Sequence, residues 1–307
     1  MTAVFAAHLK HQTLIQVDGV DAGKFLQGQV TCDVLALPVG ESTLGACCNN
    51  KGRMLAIFQL LRTNESAYLL RMSRAVASEL VGHLSKFKVF FKCTLQILDR
   101  SQVWGLWTGT DSHESPLNID LKQPDSAHLS RIHLTPDQEE LWLTEPSLQP
   151  DAWINANSPA LTEMSEEAWQ ERQILLGIPA LHADIIGEFI PQALNLENLQ
   201  AISFTKGCYT GQEIVARTHY LGKLKKSMHL YRGAAEAAKV FAQSPKTLFT
   251  AEGSFGQIVN TLATSNDLWV LVIAENDSVA GNTPVFADSG LTHALINVPL
   301  RYTSTTK

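Results

Sequence analysis

The segment of this chain with the clearest chemical potential is an octapeptide around one cysteine, Lys206–Glu213, which reads K-G-C-Y-T-G-Q-E. Thr210 and Glu213 have the spacing of an S/T-x-x-E capping box, and apolar residues follow, so we predict that a helix begins here. The free amides and the dipole at a helix N-terminus favour negative charge. Together with the ammonium group of Lys206, they favour the thiolate form of Cys208, which is the nucleophilic form. We therefore predict that Cys208 and Lys206 act together as a catalytic pair.

A purely structural role for the same segment is the alternative. Gly207 and Gly211 permit backbone angles or close approaches that a side chain would block. The octapeptide therefore also fits a tight turn before a capped helix, with Cys208 as a small buried residue. The sequence alone leaves both interpretations open.

The cysteines do not indicate a metal site. The chain has five cysteines and no C-x-x-C pair, so neither a zinc ribbon nor a thioredoxin-like motif is indicated. Cys47 and Cys48 are adjacent in a predicted strand, where their side chains would point to opposite faces. Burial as small apolar residues is therefore favoured for this pair, and we predict no metal ligands.

Four further segments belong, together with the octapeptide, to one recognisable sequence signature. They are residues 26–34 (L-Q-G-Q-V-T-C-D-V), 50–53 (N-K-G-R), 189–193 (F-I-P-Q-A) and 216–223 (A-R-T-H-Y-L-G-K). With the octapeptide, these segments resemble the YgfZ family of folate-binding, tRNA-modifying proteins. That family is a branch of the aminomethyltransferase superfamily, which includes the T-protein of the glycine cleavage system. The resemblance spans most of the chain, and the octapeptide is its most specific part.

The resemblance implies a fold, a cofactor and a set of partners. The implied fold is the α+β fold of the T-protein, with several lobes around a channel that holds folate and a C-terminal antiparallel β-barrel. The implied cofactor is tetrahydrofolate or another reduced folate. The implied role is that of an accessory protein that supports assembly or repair of iron–sulfur clusters, including those of enzymes that thiomethylate tRNA. Folate and such iron–sulfur proteins are therefore the expected partners, with weak or no direct binding of nucleic acid.

The resemblance also suggests which residues contact folate. A tryptophan at the position of Trp169 is associated with folate in YgfZ-like proteins, although a helix tryptophan is more often part of the core. We expect Tyr209, Gln212 and Glu213 to line the folate site or to close the helix cap. Arg217 begins a basic run that either borders solvent at a helix end or meets the glutamate tail of folate or RNA phosphates.

One departure from the T-protein pattern bears on the reaction. T-proteins carry aspartates after a Gly-x-x-Leu segment, and one of these carboxylates helps to activate the folate nitrogen. The matching positions here are Ala56 and Ile57, which cannot transfer a proton. We therefore expect that the chain is not a true aminomethyltransferase. A folate-dependent aminomethyl- or methyltransferase remains the alternative function.

Composition limits the classes of protein that remain. The chain has 307 residues, of which 45% are apolar and 18% charged, with a net charge of −6. No apolar run approaches the roughly 20 residues that span a bilayer, so we expect no membrane association. The N-terminus lacks the pattern of a secretory signal, and the odd cysteine count favours the reducing cytoplasm. The net negative charge argues against a surface that binds nucleic acid throughout.

Apolar periodicity predicts the elements that position these residues. Strands are predicted over 14–17, 43–48, 54–61 and 67–72, a hairpin over 95–98 and 103–107, and helices after Ser73 and after Ser165, the second ending at Gly177. Short β-type runs over 228–231, 256–262, 268–274 and 295–298 predict a small antiparallel barrel. We therefore expect a folate-binding region over 1–225, with lobes of about 1–110 and 111–225 that can exchange strands, and a barrel over 226–307.

Overall fold

The computed structural model describes residues 4–108, 129–135, 138–145, 161–241 and 246–300. The chain forms two compact units, and each unit is built from separate stretches of sequence. The first unit comprises Met1–Gln29, Asp33–Gly45 and Phe58–Trp169, and the second comprises Val30–Cys32, Ala46–Ile57 and Gln170–Lys307. Two short stretches from the N-terminal sixty residues therefore belong to the same unit as the octapeptide.

The described residues form an α+β structure, as the sequence predicted. The strands are β1 (Val4–His8), β2 (Gln12–Asp18), β3 (Ser42–Cys48), β4 (Met54–Arg62), β5 (Ala67–Ser73), β6 (Thr94–Leu98), β7 (Gln102–Thr108), β8 (Leu129–Thr135), β9 (Gln138–Leu143), β10 (Leu161–Glu163), β11 (Lys226–Ala234), β12 (Leu248–Thr250), β13 (Gly253–Phe255), β14 (Gln257–Ala263), β15 (Asp267–Glu275), β16 (Val285–Phe286) and β17 (Ala294–Val298). The α-helices are α1 (Ala22–Gln27), α2 (Arg74–Lys88), α3 (Glu166–Leu175), α4 (Gln212–Leu221), α5 (Ala238–Phe241) and α6 (Asn276–Ala280). Short 3-10 turns cover Ala183–Ile185, Pro191–Leu194 and Ala235–Ala237.

The first unit contains two five-stranded sheets, with strand orders β3-β4-β5-β2-β6 and β10-β1-β7-β9-β8. A shared apolar core joins them: Leu14 and Leu69 come from one sheet, and Trp107 and Trp142 come from the other. Burial of apolar side chains from both sheets in one cluster is the main stabilising contribution in such a unit. The ends of β3 and β4 continue into the second unit, so the chain crosses between the units at these strands.

The predicted helices are confirmed, and one predicted pairing is wrong. Helix α2 follows Ser73, and Val76, Leu80 and Leu84 are among its buried residues. Strands β6 and β7 exist as predicted, but they do not form a hairpin with each other. Strand β6 pairs with β2, whereas β7 pairs with β1 and β9. The short connection at Asp99–Ser101 therefore carries the chain from one sheet to the other.

The second unit contains a seven-stranded sheet with the order β13-β12-β16-β17-β11-β15-β14. Its described pairs are antiparallel, and the sheet forms a nearly closed barrel around a core that includes Tyr231, Leu248, Val270 and Val272. The predicted C-terminal barrel is thereby confirmed. The proposed limits of the folate-binding region and its lobes stay a prediction, and residues 111–128, 136–137 and 146–160 of the second lobe lie outside the described residues.

The helices of the described chain are short or amphipathic. None of them combines the length and the hydropathy that a membrane span requires.

Candidate functional site

The octapeptide leads into a helix, but the predicted capping box is wrong. Helix α4 begins at Gln212, and the residue before it is Gly211, with φ of 85°. Thr210 therefore lies one position too early to cap the helix. Gln212 closes the turn instead: its N–H donates to the carbonyl of Tyr209 at 3.1 Å, and its Oε1 accepts from the Tyr209 N–H at 3.3 Å. Glu213 is exposed in the first turn, where its charge complements the helix dipole.

Close backbone packing explains why the cap is a glycine. A Cβ on Gly211 would lie 2.5 Å from the carbonyl oxygen of Asn49 and 2.9 Å from Cα of Gly52. Gly52 also has positive φ, of 68°, and a Cβ there would lie 2.8 Å from Cβ of Ile214. Gly207, by contrast, has open space where its Cβ would be. Of the two octapeptide glycines, only Gly211 meets the requirement that the sequence suggested for both.

The turn that receives Gly211 belongs to the N-K-G-R segment. Oδ1 of Asn49 accepts the backbone N–H groups of Lys51 and Arg53 at 2.9 and 3.1 Å, which fixes a tight turn. The guanidinium of Arg53 donates to the backbone carbonyl of Glu188. The N–H of Met54 donates to the carbonyl of Phe189 at 2.8 Å. This segment therefore connects the octapeptide to the F-I-P-Q-A segment within the second unit.

Lys206 is buried, with 7% of its surface exposed. Its Nζ donates to the carbonyl oxygens of Val30 and Cys32 at 2.8 and 2.6 Å. The same ammonium group lies 5.2 Å from the ring centroid of Tyr209, which is cation–π geometry. Hydrogen bonds to a charged donor are roughly twice as strong as neutral ones. Lys206 therefore holds residues 30–32 against the start of the octapeptide.

Thr31 completes this connection. Its Oγ1 donates to the carbonyl of Ala201 at 2.7 Å and accepts the N–H of Ala46 at 2.9 Å. Its own carbonyl accepts the N–H of Ser203 at 2.9 Å. The V-T-C part of the first family segment thus supports the chain that leads to the octapeptide.

Cys208 differs from the other cysteines of the chain in its exposure. It is exposed, whereas Cys32, Cys47, Cys48 and Cys93 are buried. Burial raises the pKa of the Cys47 thiol to about 12, and burial together with the charge of Cys47 raises the pKa of Cys48. These thiols are held in the neutral form, which is the unreactive form. The interpretation of Cys208 as a buried packing residue is therefore wrong, and its sulfur is open to solvent.

The other predicted site residues are distributed between the two units. Lys206, Tyr209, Gln212, Glu213 and Arg217 belong to the second unit with Cys208, whereas Trp169 belongs to the first. Tyr209 is 7% exposed, and burial followed by the charge of Cys48 raises the pKa of its hydroxyl. The hydroxyl therefore stays protonated at neutral pH.

Trp169 is part of the core of the first unit. It is 4% exposed, and its ring centroid lies 5.7 Å from that of Trp107. The ring packs over Gly105, where an added Cβ would lie 2.4 Å from Cε3 of Trp169. This packing matches the core alternative for Trp169, and contact with folate stays a prediction.

The basic run after the octapeptide is largely solvated. Arg217, Lys223 and Lys225 are exposed, and within the described ranges no ion pair joins them to a carboxylate. Nδ1 of His219 lies 2.8 Å from Oε1 of Glu197. These three exposed cations are thus available to anions.

Gln192 is a polar residue of the site that sequence reasoning missed. It lies in the turn Pro191–Leu194 and is 5% exposed. Its Nε2 donates to the carbonyl of Val215 in α4 at 2.7 Å, whereas its Oε1 is buried without a donor among the described residues. Its place in the F-I-P-Q-A segment was the available signal, because a glutamine in an apolar motif needs a partner.

Two further features limit the chemistry. Ala56 is fully buried, and its methyl side chain offers no group that could transfer a proton. In the part of the chain that the structure describes, His, Cys, Asp and Glu side chains do not gather in groups of three that would bind a metal ion.

Comparison with known proteins places these features in a family. No family model matches the chain. The chain is 34% identical over 236 residues to a "tRNA-modifying protein YgfZ" from Aliivibrio fischeri, covering 75% of this chain and 72% of that one. It is 29% identical over 304 residues to a protein of the same name from Serratia proteamaculans, covering 96% of this chain and 91% of that one. Among solved structures, it resembles the glycine cleavage system aminomethyltransferase T from Bartonella henselae, with a TM-score of 0.68 and 17% identity over 98% of this chain and 86% of that one. The last likeness confirms the T-protein fold, and the identity to the first relative shows that this chain belongs to the YgfZ family.

Proposed function

We propose that this chain is a cytoplasmic tetrahydrofolate-binding accessory protein that supports iron–sulfur cluster assembly or repair and, through it, thiomethylation of tRNA. Relatives named as tRNA-modifying support the tRNA part of this role. The iron–sulfur part rests on the family resemblance. The expected protein partners are iron–sulfur enzymes that modify tRNA.

The observation that carries the proposal is the presentation of Cys208. Its neighbours Lys206 and Tyr209 are buried and its following turn is closed by Gln212, whereas Cys208 itself is exposed. A nucleophilic thiol must be both accessible and well positioned. The rigid support on both sides fits a thiol that handles sulfur, electrons or a folate-linked group at the protein surface.

The residues of the second unit also fit a reduced folate. A folate carries carboxylates at one end, and the exposed guanidinium of Arg217 is the type of group that binds carboxylates in a bidentate manner. The pterin end carries N–H donors, and Oε1 of Gln192 is a buried acceptor without a donor among the described residues. When bound, folate would supply one-carbon chemistry. Arg217 would meet its carboxylates, Gln192 would offer an acceptor, and Cys208 would remain the nucleophile of the chain itself.

The thiol is tested in a bacterial strain that lacks its own YgfZ-family protein. Expression of the wild-type chain should restore thiomethylated tRNA, measured by mass spectrometry of digested tRNA, and Cys208→Ala should leave it at the level of the empty vector. Cys93→Ala is the matched control, because Cys93 is buried. Full restoration by Cys208→Ala at equal protein level would refute the thiol role.

Folate binding is tested by calorimetric titration of the purified protein with tetrahydrofolate. Replacement of Gln192 by Leu should weaken binding by about fivefold, since one net hydrogen bond is worth about 1 kcal/mol, and Arg217→Ala should do the same. A fluorescence titration of Trp169→Phe decides whether that ring contacts folate. The quenching of tryptophan fluorescence by folate should disappear in this variant only if the ring makes that contact. Absence of binding by the wild-type protein would refute the cofactor assignment.

A folate-dependent aminomethyl- or methyltransferase is the second candidate. The T-protein fold favours it, whereas the apolar residues Ala56 and Ile57 disfavour it because the acid–base step lacks its carboxylate. Transfer of the one-carbon group of an aminomethyl donor to tetrahydrofolate by the purified protein, which forms methylene-tetrahydrofolate and releases ammonia, would establish this candidate.

A further inference from the structure

The last turn of α2 and the loop that follows it expose large apolar side chains next to each other. Residues 86–92, here called the lysine–phenylalanine loop, read K-F-K-V-F-F-K. Phe90 is 88% exposed, Val89 is 74% exposed and Phe87 is 37% exposed. Adjacent exposed apolar residues of this size mark an interaction site. None of these residues takes part in the function proposed above.

The backbone of this loop is held in place, so the exposure of Phe90 is built into the fold. The N–H of Lys92 donates to Oδ2 of Asp21 at 2.9 Å. The ring centroid of Phe91 lies 5.4 Å from that of buried Phe25. Gly19, with φ of 138°, packs so closely that a Cβ would lie 2.3 Å from the carbonyl oxygen of Lys92. The residues on one side of Phe90 are thus fixed, and its own ring is directed to solvent.

The sequence around Phe90 is positively charged, although the whole chain carries −6, and the carboxylate of Asp21 contacts the loop through the Lys92 N–H. No Asp or Glu occurs from Val81 to Leu98, and Lys86, Lys88 and Lys92 fall within this stretch. Lys86 and Lys92 are exposed, and Lys88 is half-buried. In the described part of the chain no ion pair links these three ammonium groups to a carboxylate. The loop therefore presents unpaired cations beside an aromatic ring.

A polymer that alternates anionic groups with flat rings matches this surface. Unpaired RNA strands bind proteins through phosphates on Lys or Arg and bases stacked on aromatic side chains. We propose that the lysine–phenylalanine loop binds an unpaired RNA strand, with a base stacked on Phe90 and phosphates at Lys86, Lys88 and Lys92. The choice of RNA rests on the proposed role in tRNA modification. With three cations, binding is weak and sensitive to salt.

The proposal is tested by fluorescence anisotropy with a labelled oligouridylate and with unfractionated tRNA as competitor. The wild-type protein should bind the oligouridylate at low salt, and tRNA should displace it. Phe90→Ala should weaken binding at least about fivefold, the lower limit for one base stacked on an aromatic ring. The triple variant Lys86→Gln, Lys88→Gln and Lys92→Gln should reduce the slope of log affinity against log salt by about 2, since each phosphate contact in a single strand contributes about 0.7.

Two matched controls separate this surface from general effects. Ile296→Ala removes an apolar side chain that is 71% exposed and should change RNA affinity less than about twofold. The triple variant Lys10→Gln, Lys239→Gln and Lys246→Gln makes the same change of net charge at exposed positions elsewhere and should leave the salt slope unchanged.

Several results would overturn the proposal. They are failure to bind oligouridylate and tRNA at low salt, equal affinity of Phe90→Ala and wild type, or Phe90-dependent binding to phosphatidylserine vesicles without binding to RNA. The assay contains no folate and does not involve Cys208. Failure here therefore refutes RNA binding by the lysine–phenylalanine loop and leaves the proposed function untouched. Full tRNA modification by Cys208→Ala refutes the thiol role in the proposed function and leaves RNA binding by the loop untouched.

Discussion

The loop at Cys208 and the lysine–phenylalanine loop are built in the same way but place their cations differently. In each, a glycine with positive φ packs against a backbone carbonyl: Gly211 against Asn49, and Gly19 against Lys92. In each, a neighbouring side chain is left exposed: Cys208 in one loop and Phe90 in the other. The difference lies in the lysines.

In the octapeptide, the lysine is buried and its charge is used inside the protein. Nζ of Lys206 donates to two backbone carbonyls, so the ammonium group stabilises the fold. In the lysine–phenylalanine loop, Lys86 and Lys92 are exposed and their charges face solvent. Burial thus commits Lys206 to backbone partners, whereas exposure leaves Lys86 and Lys92 accessible from solvent.

Replacement of Gly19 by Ala tests the support of the lysine–phenylalanine loop and should have the largest effect. A Cβ at this position would meet the carbonyl oxygen of Lys92 at 2.3 Å and Cα of Cys93 at 2.7 Å. We expect a loss of roughly 4 kcal/mol of unfolding free energy from strain and displaced backbone, measured by urea denaturation. Gly82→Ala is the control, because Gly82 lies in α2 with open space around it; this change should be neutral or stabilising.

Replacement of Gly211 by Ala tests the support of Cys208 in the same way. The nearest backbone atom to an added Cβ is the Asn49 oxygen at 2.5 Å, so we expect a loss of roughly 3 kcal/mol. Gly207→Ala, four residues earlier, meets open space and should cost well under 1 kcal/mol. Equal unfolding midpoints for the two variants would show that packing against the Asn49 turn does not hold the octapeptide.

Replacement of Lys206 by Met tests whether the buried lysine is structural. The change leaves the carbonyls of Val30 and Cys32 without this donor, and we expect a loss of about 2 kcal/mol together with faster amide exchange at Thr31. Lys51→Met, at an exposed position, should change stability by less than about 0.5 kcal/mol. A Lys206→Met protein as stable as wild type would place the role of Lys206 in chemistry.

The buried thiol of Cys47 predicts how stability depends on pH. Its folded-state pKa of about 12 lies above its ordinary value of 9.0, so the folded protein keeps a proton that the unfolded chain releases. The contribution is fully present below pH 9 and is lost as the pH rises towards 12. In that range the thiol should lower the unfolding free energy by up to about 1.4 kcal/mol per pH unit, because unfolding releases one proton. Cys47→Ala should lack this contribution to the slope. Identical slopes in urea titrations of the two proteins would contradict this cause.

Local signals in the sequence predicted much of the fold. Helix α2 has its apolar residues at helical spacing, and helix α3 lies between Ser165 and Gly177, whose φ of 67° ends it. The barrel strands were marked by short β-type runs between turn residues. These elements follow from periodicity and turn chemistry, which act over a few residues.

The parts that failed depend on contacts between distant segments. Gly211, and not Thr210, is the cap residue of α4, because the turn at Asn49 and Gly52 packs against that glycine. Lys206 was expected to act on Cys208, but its ammonium group donates to the carbonyls of Val30 and Cys32, which are about 175 residues away in sequence. The hairpin of β6 and β7 failed because each strand joins a different sheet. Spacing along the chain contains no information about such partners.

The interleaving of the two units has a consequence for attempts to dissect this protein. Val30–Cys32 and Ala46–Ile57 belong to the unit that carries Cys208. A fragment starting at Gln170 would retain Cys208 but lose the carbonyls to which Lys206 donates and the turn against which Gly211 packs. A fragment that is meant to keep Cys208 in its native surroundings therefore has to include the first sixty residues as well.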